Sequence, residues 1–202
     1  YAEQLSRAPS VPNLILAARV QSNPEQAMAW LDQALALDPI CAWASYGKAD
    51  TLLRLRDQYR WRKSRETLEF ALKADPSHLH ARRLEAWMMA QEGVGEPAAI
   101  AIERWLKETE HDPRVNHANR VAMRLDLARV WLSLGASEPA LAELRSLEGE
   151  PIGRARRLLL SAVAWTEVGD IEGALDAVRR ASMIAGVGVL PHVQEALLRE
   201  HW

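Results

Sequence analysis

The hydrophobic and polar positions of this chain follow the period of an α-helix. Over residues 24–37, Ala27 and Leu31 share one face at helical spacing with later alanine and leucine residues. Asn23 followed by Pro24 is a helix-start signal, because asparagine caps a first turn and proline is tolerated within it. The pattern therefore predicts a helix over 24–37, and the same period continues along the chain.

An Asp-Pro dipeptide punctuates this pattern at a fixed interval. It occurs at Asp38-Pro39, Asp75-Pro76 and Asp112-Pro113, 37 residues apart each time. Proline disfavours helical geometry in the residue before it and lacks the N–H group that a helix interior needs. Each dipeptide is therefore expected to close one helix and begin the next unit, so the spacing predicts an all-α internal repeat.

Along the whole chain, the pattern predicts five helix pairs joined by turns. Glycines mark several of the turns, as at 93–95 and 169–170. The predicted pairs are 11–21 with 24–37, 42–55 with 61–74, 79–92 with 97–110, 117–134 with 138–147, and 154–168 with 171–185, and a last helix over 191–202 follows.

Small residues recur in these predicted helices, where they would let two helices approach closely. The interval between these small residues becomes longer in the middle of the chain. We expect the extra residues to lie in turns, where they cost least. The recurring positions are Ala49, Ala86, Ala128 and Ala162 in the first helices, and Ala27, Ser64, Ala101, Ala140 and Ala174 in the second helices.

This pattern resembles the tetratricopeptide-repeat (TPR) family, in which antiparallel pairs of helices stack on one another. The resemblance spans residues 8–185 and implies five repeats. Pro9 and Pro12 depart from the family pattern, since they lie where the first helix should run. The best match lies within 158–181, at Ala162, Trp165, Gly169, Asp170, Ala174 and Ala181, and Trp131, Gly135 and Ala140 carry the same pattern one repeat earlier.

The resemblance implies a right-handed solenoid of antiparallel helix pairs, with a concave groove and a C-terminal capping helix. Residues 1–185 would form the TPR-like helical repeat domain. Residues 186–202 would form a linker and the capping helix.

In this family the groove is lined mainly by the first helix of each pair, on the face opposite the small packing residues. Tryptophan, tyrosine and arginine are the residue types that most often dominate interface energies. For Trp43 and Trp87, the alternative is that they are half-buried between adjacent repeats. Mapped onto this chain, the resemblance predicts groove positions at Trp43, Tyr46, Asp50, Arg54, His80, Arg83, Trp87, Gln91, Leu125, Asp126, Arg129, Arg156 and Leu159.

Two further expectations follow from the same mapping. Some family members clamp the C-terminal carboxylates of heat-shock chaperones, but Asp50 and Asp126 on the comparable face here would repel such a ligand. We therefore do not expect a chaperone tail in this groove. Four tryptophans on faces that pack within or between pairs are predicted to be core residues: Trp30, Trp105, Trp131 and Trp165.

A basic segment at 54–65 is the strongest local charge feature. It holds six basic side chains against the single acidic Asp57, with two aromatic residues among them. Three interpretations remain open: a solvated turn whose cations pair with nearby Glu66 and Glu69, a contact for an acidic protein surface, or a contact for nucleic acid. The basic side chains are Arg54, Arg56, Arg60, Arg62, Lys63 and Arg65.

Composition narrows the function without naming it. The 202 residues are 49% hydrophobic and 26% charged, with a formal net charge of −2, which is ordinary globular composition and disfavours nucleic acid as a partner. Cys41 is the only cysteine, so an intramolecular disulfide and a four-thiolate zinc site are excluded. No apolar run is long enough to predict a membrane span. Composition indicates neither a compartment nor an oligomeric state.

The sequence carries no recognisable catalytic motif. His78 and His80 are two residues apart across a helix start, and on a helix that spacing directs side chains to different faces. The glycines at 93–95 and 186–188 lack the third glycine of a dinucleotide fingerprint and do not follow strands. The acidic and histidine residues over 108–117 are typical of a polar helix end. We therefore predict no enzyme, no metal site and no cofactor.

The sequence thus predicts a non-catalytic scaffold or adaptor that binds a peptide or protein partner in its groove and assists complex assembly. The alternatives are a regulatory or recruiting arm, or an accessory subunit, of a larger enzyme complex. A third, less favoured, interpretation is an RNA- or phosphate-binding module that acts through the basic segment.

Overall fold

The computed structural model of the chain describes residues 10–55 and 58–184. In these two ranges it has ten α-helices and no strand. The helices are α1 Val11–Val20, α2 Pro24–Leu37, α3 Ala42–Arg54, α4 Arg60–Ala74, α5 Leu79–Gln91, α6 Gly95–Glu108, α7 His117–Ser133, α8 Ser137–Ser146, α9 Arg154–Glu167 and α10 Ile171–Ser182.

These helices confirm the sequence-based boundaries to within three residues at each end. The predicted linker and capping helix at 186–202 lie outside the described residues. Asp38 and Asp75 cap the C-termini of α2 and α4 in extended geometry, as the Asp-Pro argument requires. Asp112 does not, because α6 already ends at Glu108 and Asp112 lies in the turn beyond it.

Helix α1 forms despite the proline in its sequence. Pro12 occupies the first turn of the helix, where the absent N–H group has no partner to lose and the fixed φ angle suits the helix. The departure from the family pattern at this position therefore does not interrupt the first repeat.

The chain divides into two compact units, Tyr1–Glu85 and Ala86–Trp202, and the boundary falls within α5. In the first unit α1 packs on α2, α2 on α3 and α3 on α4, and α1 also contacts α3. In the second unit α6 packs on α7, α7 on α8, α8 on α9 and α9 on α10, and α7 also contacts α9. Short turns join these consecutive helices, so neighbours run antiparallel, as expected for helix-pair repeats.

The core of the first unit is built from small and branched apolar side chains. Leu14, Ala34 and Ala44 are fully buried together, and they join α1, α2 and α3. Gly47 lets α3 approach α2 closely, because a Cβ atom there would lie 2.9 Å from Leu31 Cδ2. The core therefore fixes the position of α3, which supplies much of the candidate site.

The core of the second unit repeats this arrangement. Val121, Leu125 and Leu144 join α7 to α8, and a separate cluster that includes Leu158 and Val178 joins α9 to α10. The pairs α7–α8 and α9–α10 therefore each have their own apolar contact, as a stacked repeat requires.

The small-residue series is confirmed at every predicted position except one. Ala101 is only partly buried, whereas Ala98 is fully buried. Helix α6 begins two residues earlier than predicted, so Ala98 occupies the packing position that the sequence analysis assigned to Ala101. At the equivalent position of α4, the buried Ser64 hydroxyl donates to the Ala49 carbonyl oxygen at 2.8 Å, which satisfies a polar group inside the core.

None of the helices within the described ranges combines the length and the apolar character that a bilayer crossing requires.

Candidate peptide-binding cleft

Side chains from four helices, all within the first unit, surround a cleft of about 190 Å³. Helices α1 and α3 form its walls, Leu31 of α2 contributes to the apolar part, and the first turn of α5 closes one side. The residues that line it are Ile15, Ala18, Arg19, Leu31, Trp43, Tyr46, Gly47, Asp50, Thr51, Arg54 and His80. The structure therefore brings five predicted groove residues together: Trp43, Tyr46, Asp50, Arg54 and His80.

A cluster of four rings lies at one side of this cleft. The ring of Trp43 lies 4.4 Å from that of His78 and 5.3 Å from that of His80, between centroids. Tyr46 stacks on His80, with centroids 5.6 Å apart and an interplanar angle of 30°. Trp43 nevertheless keeps 43% of its surface exposed, so the cluster presents a supported aromatic face to solvent. This exposure favours an interaction role for Trp43 over simple burial.

The position of His78 corrects the expectation that the two histidines point apart. His78 lies immediately before α5, and its Nδ1 atom accepts a hydrogen bond from the Ala81 backbone N–H at 3.1 Å. The side chain therefore acts as an N-cap, so helical angles do not apply to it. It is only 4% exposed, and the rings of His78 and His80 lie 6.2 Å apart.

Burial favours the neutral form of both histidines. It lowers the pKa of His78 below the ordinary value of 6.5, against the opposing effect of Asp75. It also lowers the pKa of His80, and the charge of Arg83 adds to that effect. Near neutral pH the four-ring cluster is therefore uncharged.

The polar side of the cleft has an excess of positive charge. Burial and the charge of Asp50 raise the pKa of Tyr46, whereas Arg83, Arg19 and Arg54 act in the opposite direction. Three guanidinium groups thus lie within electrostatic reach of the Tyr46 hydroxyl, against one carboxylate.

The Arg54 side chain contacts two residues of its own helix. Its Nη2 atom donates to Thr51 Oγ1 at 3.1 Å, and its Nε atom lies 3.9 Å from Asp50 Oδ2. Asp50 is therefore offset by a neighbour, and the cleft favours an anionic group over a cationic one.

Arg19 was missed by sequence reasoning, although it lines the cleft from α1. The groove prediction assigned no residue to the first repeat, whose leading helix carries Pro12. A signal was present: Arg19 directly follows Ala18, which is buried in the core of the unit. On a helix, Arg19 shares a face with Ile15, four residues earlier, and Ile15 also lines the cleft.

Two predicted groove residues of the second unit are buried instead. Leu125 is 2% exposed and Asp126 is 1% exposed. Leu125 packs in the core between α7 and α8, and Asp126 forms an ion pair with Arg156. The prediction that they line an open groove is therefore wrong, and so is the premise that Asp126 would repel an acidic ligand.

The other predicted residues of the second unit have different surroundings. Arg129 lies 3.6 Å from Asp126, so it and Arg156 share one buried carboxylate. Trp87 is partly buried and Gln91 is exposed. Arg83, Trp87, Gln91, Arg129 and Arg156 remain predicted binding residues.

The basic segment is described only in part, because residues 56 and 57 are not described. Arg62 lies 3.7 Å from Glu66 and 5.3 Å above the ring of Tyr59. Arg60 donates to the Leu55 carbonyl oxygen at 3.3 Å. These contacts agree with a solvated helix start whose cations pair locally.

The tryptophans predicted to be core residues are buried to different degrees. Trp105 is buried, whereas Trp30, Trp131 and Trp165 are partly buried against core clusters. The guanidinium of Arg145 lies 5.2 Å from the ring of Trp165.

Within residues 10–55 and 58–184, no group of three histidine, cysteine, aspartate or glutamate residues is placed to hold a metal ion. The polar patch after α6 carries an ion pair instead, in which Arg114 Nη2 lies 2.8 Å from Asp112 Oδ2. Hydrogen bonds from Arg114 lower the pKa of Asp112 to about 2.

No protein-family model matches the sequence, and no curated protein sequence matches it. Solved structures do match the fold. A tetratricopeptide repeat protein from Parabacteroides merdae ATCC 43184 aligns with a TM-score of 0.77 and 15% identity, over 98% of this chain and 75% of that protein. A thermophilic TPR protein of Thermus thermophilus aligns with a TM-score of 0.73 and 18% identity, over 94% of this chain and 99% of that protein.

A third similar structure is YrrB, a TPR protein with an unusual peptide-binding site. It aligns with a TM-score of 0.60 and 18% identity, over 100% of this chain and 97% of that protein. Identities this low establish the architecture alone. Together with the helix pairs and the small residues that pack them, they show that this chain has the tetratricopeptide-repeat fold.

Proposed function

We propose that this chain is a non-catalytic protein-interaction scaffold that binds a peptide or a peptide-like segment of a protein partner. The single observation that carries the proposal is the cleft between α1, α3 and the start of α5, with the exposed face of Trp43 beside it. The similarity to YrrB supports the proposal, since that TPR protein has a peptide-binding site.

The cleft has the two features that peptide recognition needs. Trp43 is held by contacts with both histidines, so little side-chain freedom is lost when a ligand packs against it. Arg19 and Arg54, with Arg83 close to Tyr46, supply directed donors. We therefore expect a segment that carries one apolar or aromatic side chain and one acidic side chain.

The remaining predicted groove residues extend this proposal. Arg83, Trp87, Gln91, Arg129 and Arg156 are proposed as further partner-binding residues, and the scaffold would assist the assembly of a complex. Arg129 and Arg156 would then have to share their charge between the ligand and Asp126.

Selection from a displayed peptide library tests the proposal without a known partner. Peptides retained by the wild-type chain would be synthesised, and their Kd values measured against three forms: wild type, Trp43→Ala and Phe70→Ala. Phe70 is a suitable control because it is an exposed aromatic residue of α4 that does not line the cleft.

We expect Trp43→Ala to weaken binding about tenfold or more, as truncation of a central tryptophan commonly does, while Phe70→Ala binds as the wild type does. Equal affinities for all three forms would refute the assignment of this cleft. Failure to retain any peptide would refute the peptide-binding function itself.

A further inference from the structure

A second cleft, of about 290 Å³, lies in the other unit among α8, α9 and α10. It shares no residue with the cleft around Trp43. Apolar side chains form its floor and charged side chains form its rim. The residues that line it are Leu141, Leu144, Arg145, Glu148, Arg157, Leu158, Ser161, Trp165, Asp170, Gly173, Asp176, Ala177 and Arg180.

Arg157 is the unusual member of this set, because its side chain is mostly buried and its Nε atom has no hydrogen-bond partner in the described part of the chain. Its surface is only 8% exposed. Among the residues that the structure describes, its Nε atom has no hydrogen-bond partner and its guanidinium makes no ion pair. A buried N–H donor without an acceptor is costly, so its presence at a cleft indicates an acceptor that the cleft can receive.

The carboxylates that line the cleft have other partners or form no ion pair with Arg157. Asp176 pairs with Arg180 at 3.3 Å. Asp170 caps α10 by accepting a hydrogen bond from the Gly173 N–H at 2.8 Å. Glu148 attracts Arg157 by its charge but is exposed and forms no ion pair with it in the described part of the chain.

The positive side of the cleft is held in place by other contacts. The guanidinium of Arg145 lies 5.2 Å from the ring of Trp165, a distance typical of a cation–π contact. Leu158 and the partly buried Trp165 belong to the apolar cluster between α9 and α10, which reduces the access of water and strengthens electrostatic attraction. A guanidinium in this setting offers a planar fork of N–H donors that matches an oxyanion.

We propose that the cleft around Arg157 is a binding site for a single oxyanion group, which is a carboxylate or a phosphate. Arg157 is the principal ligand, and Arg145 at the rim assists it. The site is independent of the proposed peptide cleft, since the two lie in different units and use different residues.

Thermal unfolding with added anions tests the site on the whole chain. The wild type would be compared with Arg157→Met and with Arg154→Met, a matched change at an exposed arginine one turn earlier on the same helix. Inorganic phosphate or glutarate would be added at millimolar concentration, with ionic strength held constant by chloride.

We expect one of the two anions to raise the Tm of the wild type and of Arg154→Met to a plateau, because a ligand that binds only the folded state stabilises it. Arg157→Met should show no such rise, and without added anion its Tm should equal or exceed that of the wild type. A response to phosphate alone assigns a phosphoryl group, and a response to glutarate alone assigns a carboxylate. No rise in the wild type with either anion, or an equal rise in Arg157→Met, would overturn the proposal.

A second readout does not depend on the folding of any variant. The Nε–H resonance of Arg157 should shift on titration of the wild type with the stabilising anion, because the group gains a hydrogen-bond acceptor. Arg157→Lys, which keeps the charge but loses the planar fork, should bind the anion more weakly. Unchanged arginine Nε–H resonances in the wild type would contradict the assignment.

Discussion

The indole of Trp43 meets the imidazole of His78 edge to face, with ring centroids 4.4 Å apart. Trp43 is exposed and His78 is buried, so the buried imidazole supports the solvent-facing indole. His78 is itself fixed by the hydrogen bond from the Ala81 N–H. The cap of α5 and the face of Trp43 are therefore parts of one arrangement.

This arrangement should make folding stability depend on pH. Burial lowers the pKa of His78 in the folded state below its ordinary value of 6.5, so the unfolded chain binds the proton more readily. The stabilising contribution is complete above that ordinary value and is lost as the pH falls through the folded-state pKa. We expect the urea midpoint to fall between about pH 7 and about pH 5, the range in which histidine titrates.

A variant isolates the contribution of His78 from that of the other titrating groups. In His78→Asn the amide oxygen can still cap α5, but no imidazole titrates. The urea midpoint of His78→Asn should therefore fall less than that of the wild type as the pH is lowered. The midpoint of His111→Asn, a change at an exposed position, should fall as much as that of the wild type. An identical pH profile for wild type and His78→Asn would show that His78 does not contribute.

Two glycines with nearly equal φ angles should respond differently to alanine. Gly135 and Gly153 have φ angles of 68° and 67°, and left-handed geometry costs an alanine about 1 kcal/mol. A Cβ atom at Gly135 meets nothing within 4 Å, whereas one at Gly153 would lie 2.6 Å from Leu125 Cδ1. We expect Gly135→Ala to destabilise the protein by about 1 kcal/mol and Gly153→Ala by about 3 kcal/mol, as measured by urea unfolding. Equal losses would mean that Leu125 relaxes freely.

Asp126 should be essential for the stability of the second unit. It is buried and forms ion pairs with Arg156 and Arg129. Its removal would leave both arginines without this carboxylate partner. We expect Asp126→Ala to cost about 3 kcal/mol. The double variant Asp126→Ala/Arg156→Met should recover part of that loss. If the loss in the double variant equals the sum of the losses in Asp126→Ala and Arg156→Met, the two residues are not coupled.

The helices could be predicted from the sequence because their ends carry local signals. The proline after Asp38 and after Asp75 forces a helix to stop, and Gly135 and Gly169 adopt positive φ angles beyond helix ends. Such signals act within a few residues of the chain. Helix ends can therefore be predicted from these signals without knowledge of the packing.

The surroundings of single side chains were less predictable because they depend on contacts distant in sequence. Asp126 was expected at a surface, but it meets Arg156, 30 residues away, inside the second unit. His78 was treated as a helical residue, although one position outside the helix changes its direction completely. Sequence spacing shows which residues share a helical face. It does not show the direction of a side chain at a helix end, or the burial of a side chain that pairs with an arginine distant in sequence.

The positive charge of the cleft predicts a salt-dependent preference for acidic peptides. Arg19→Gln should weaken a selected acidic peptide about threefold to tenfold at low salt and less at high salt, because exposed charges are screened. Arg62→Gln, an equivalent change at a strongly exposed position of α4, should leave the affinity unchanged. If Arg62→Gln had the larger effect, the basic segment rather than the cleft would be the contact.

The most direct test of the account is to locate a bound peptide on the chain by NMR. The indole N–H signals of the eight tryptophans would be followed as a selected peptide is added, and the Trp43 signal would be identified by its loss in Trp43→Phe. We predict that the Trp43 indole signal and the backbone amides around Arg19, Asp50 and His80 shift together. An unchanged Trp43 signal, with shifts confined to other tryptophans, would contradict the assignment of the cleft as the binding site.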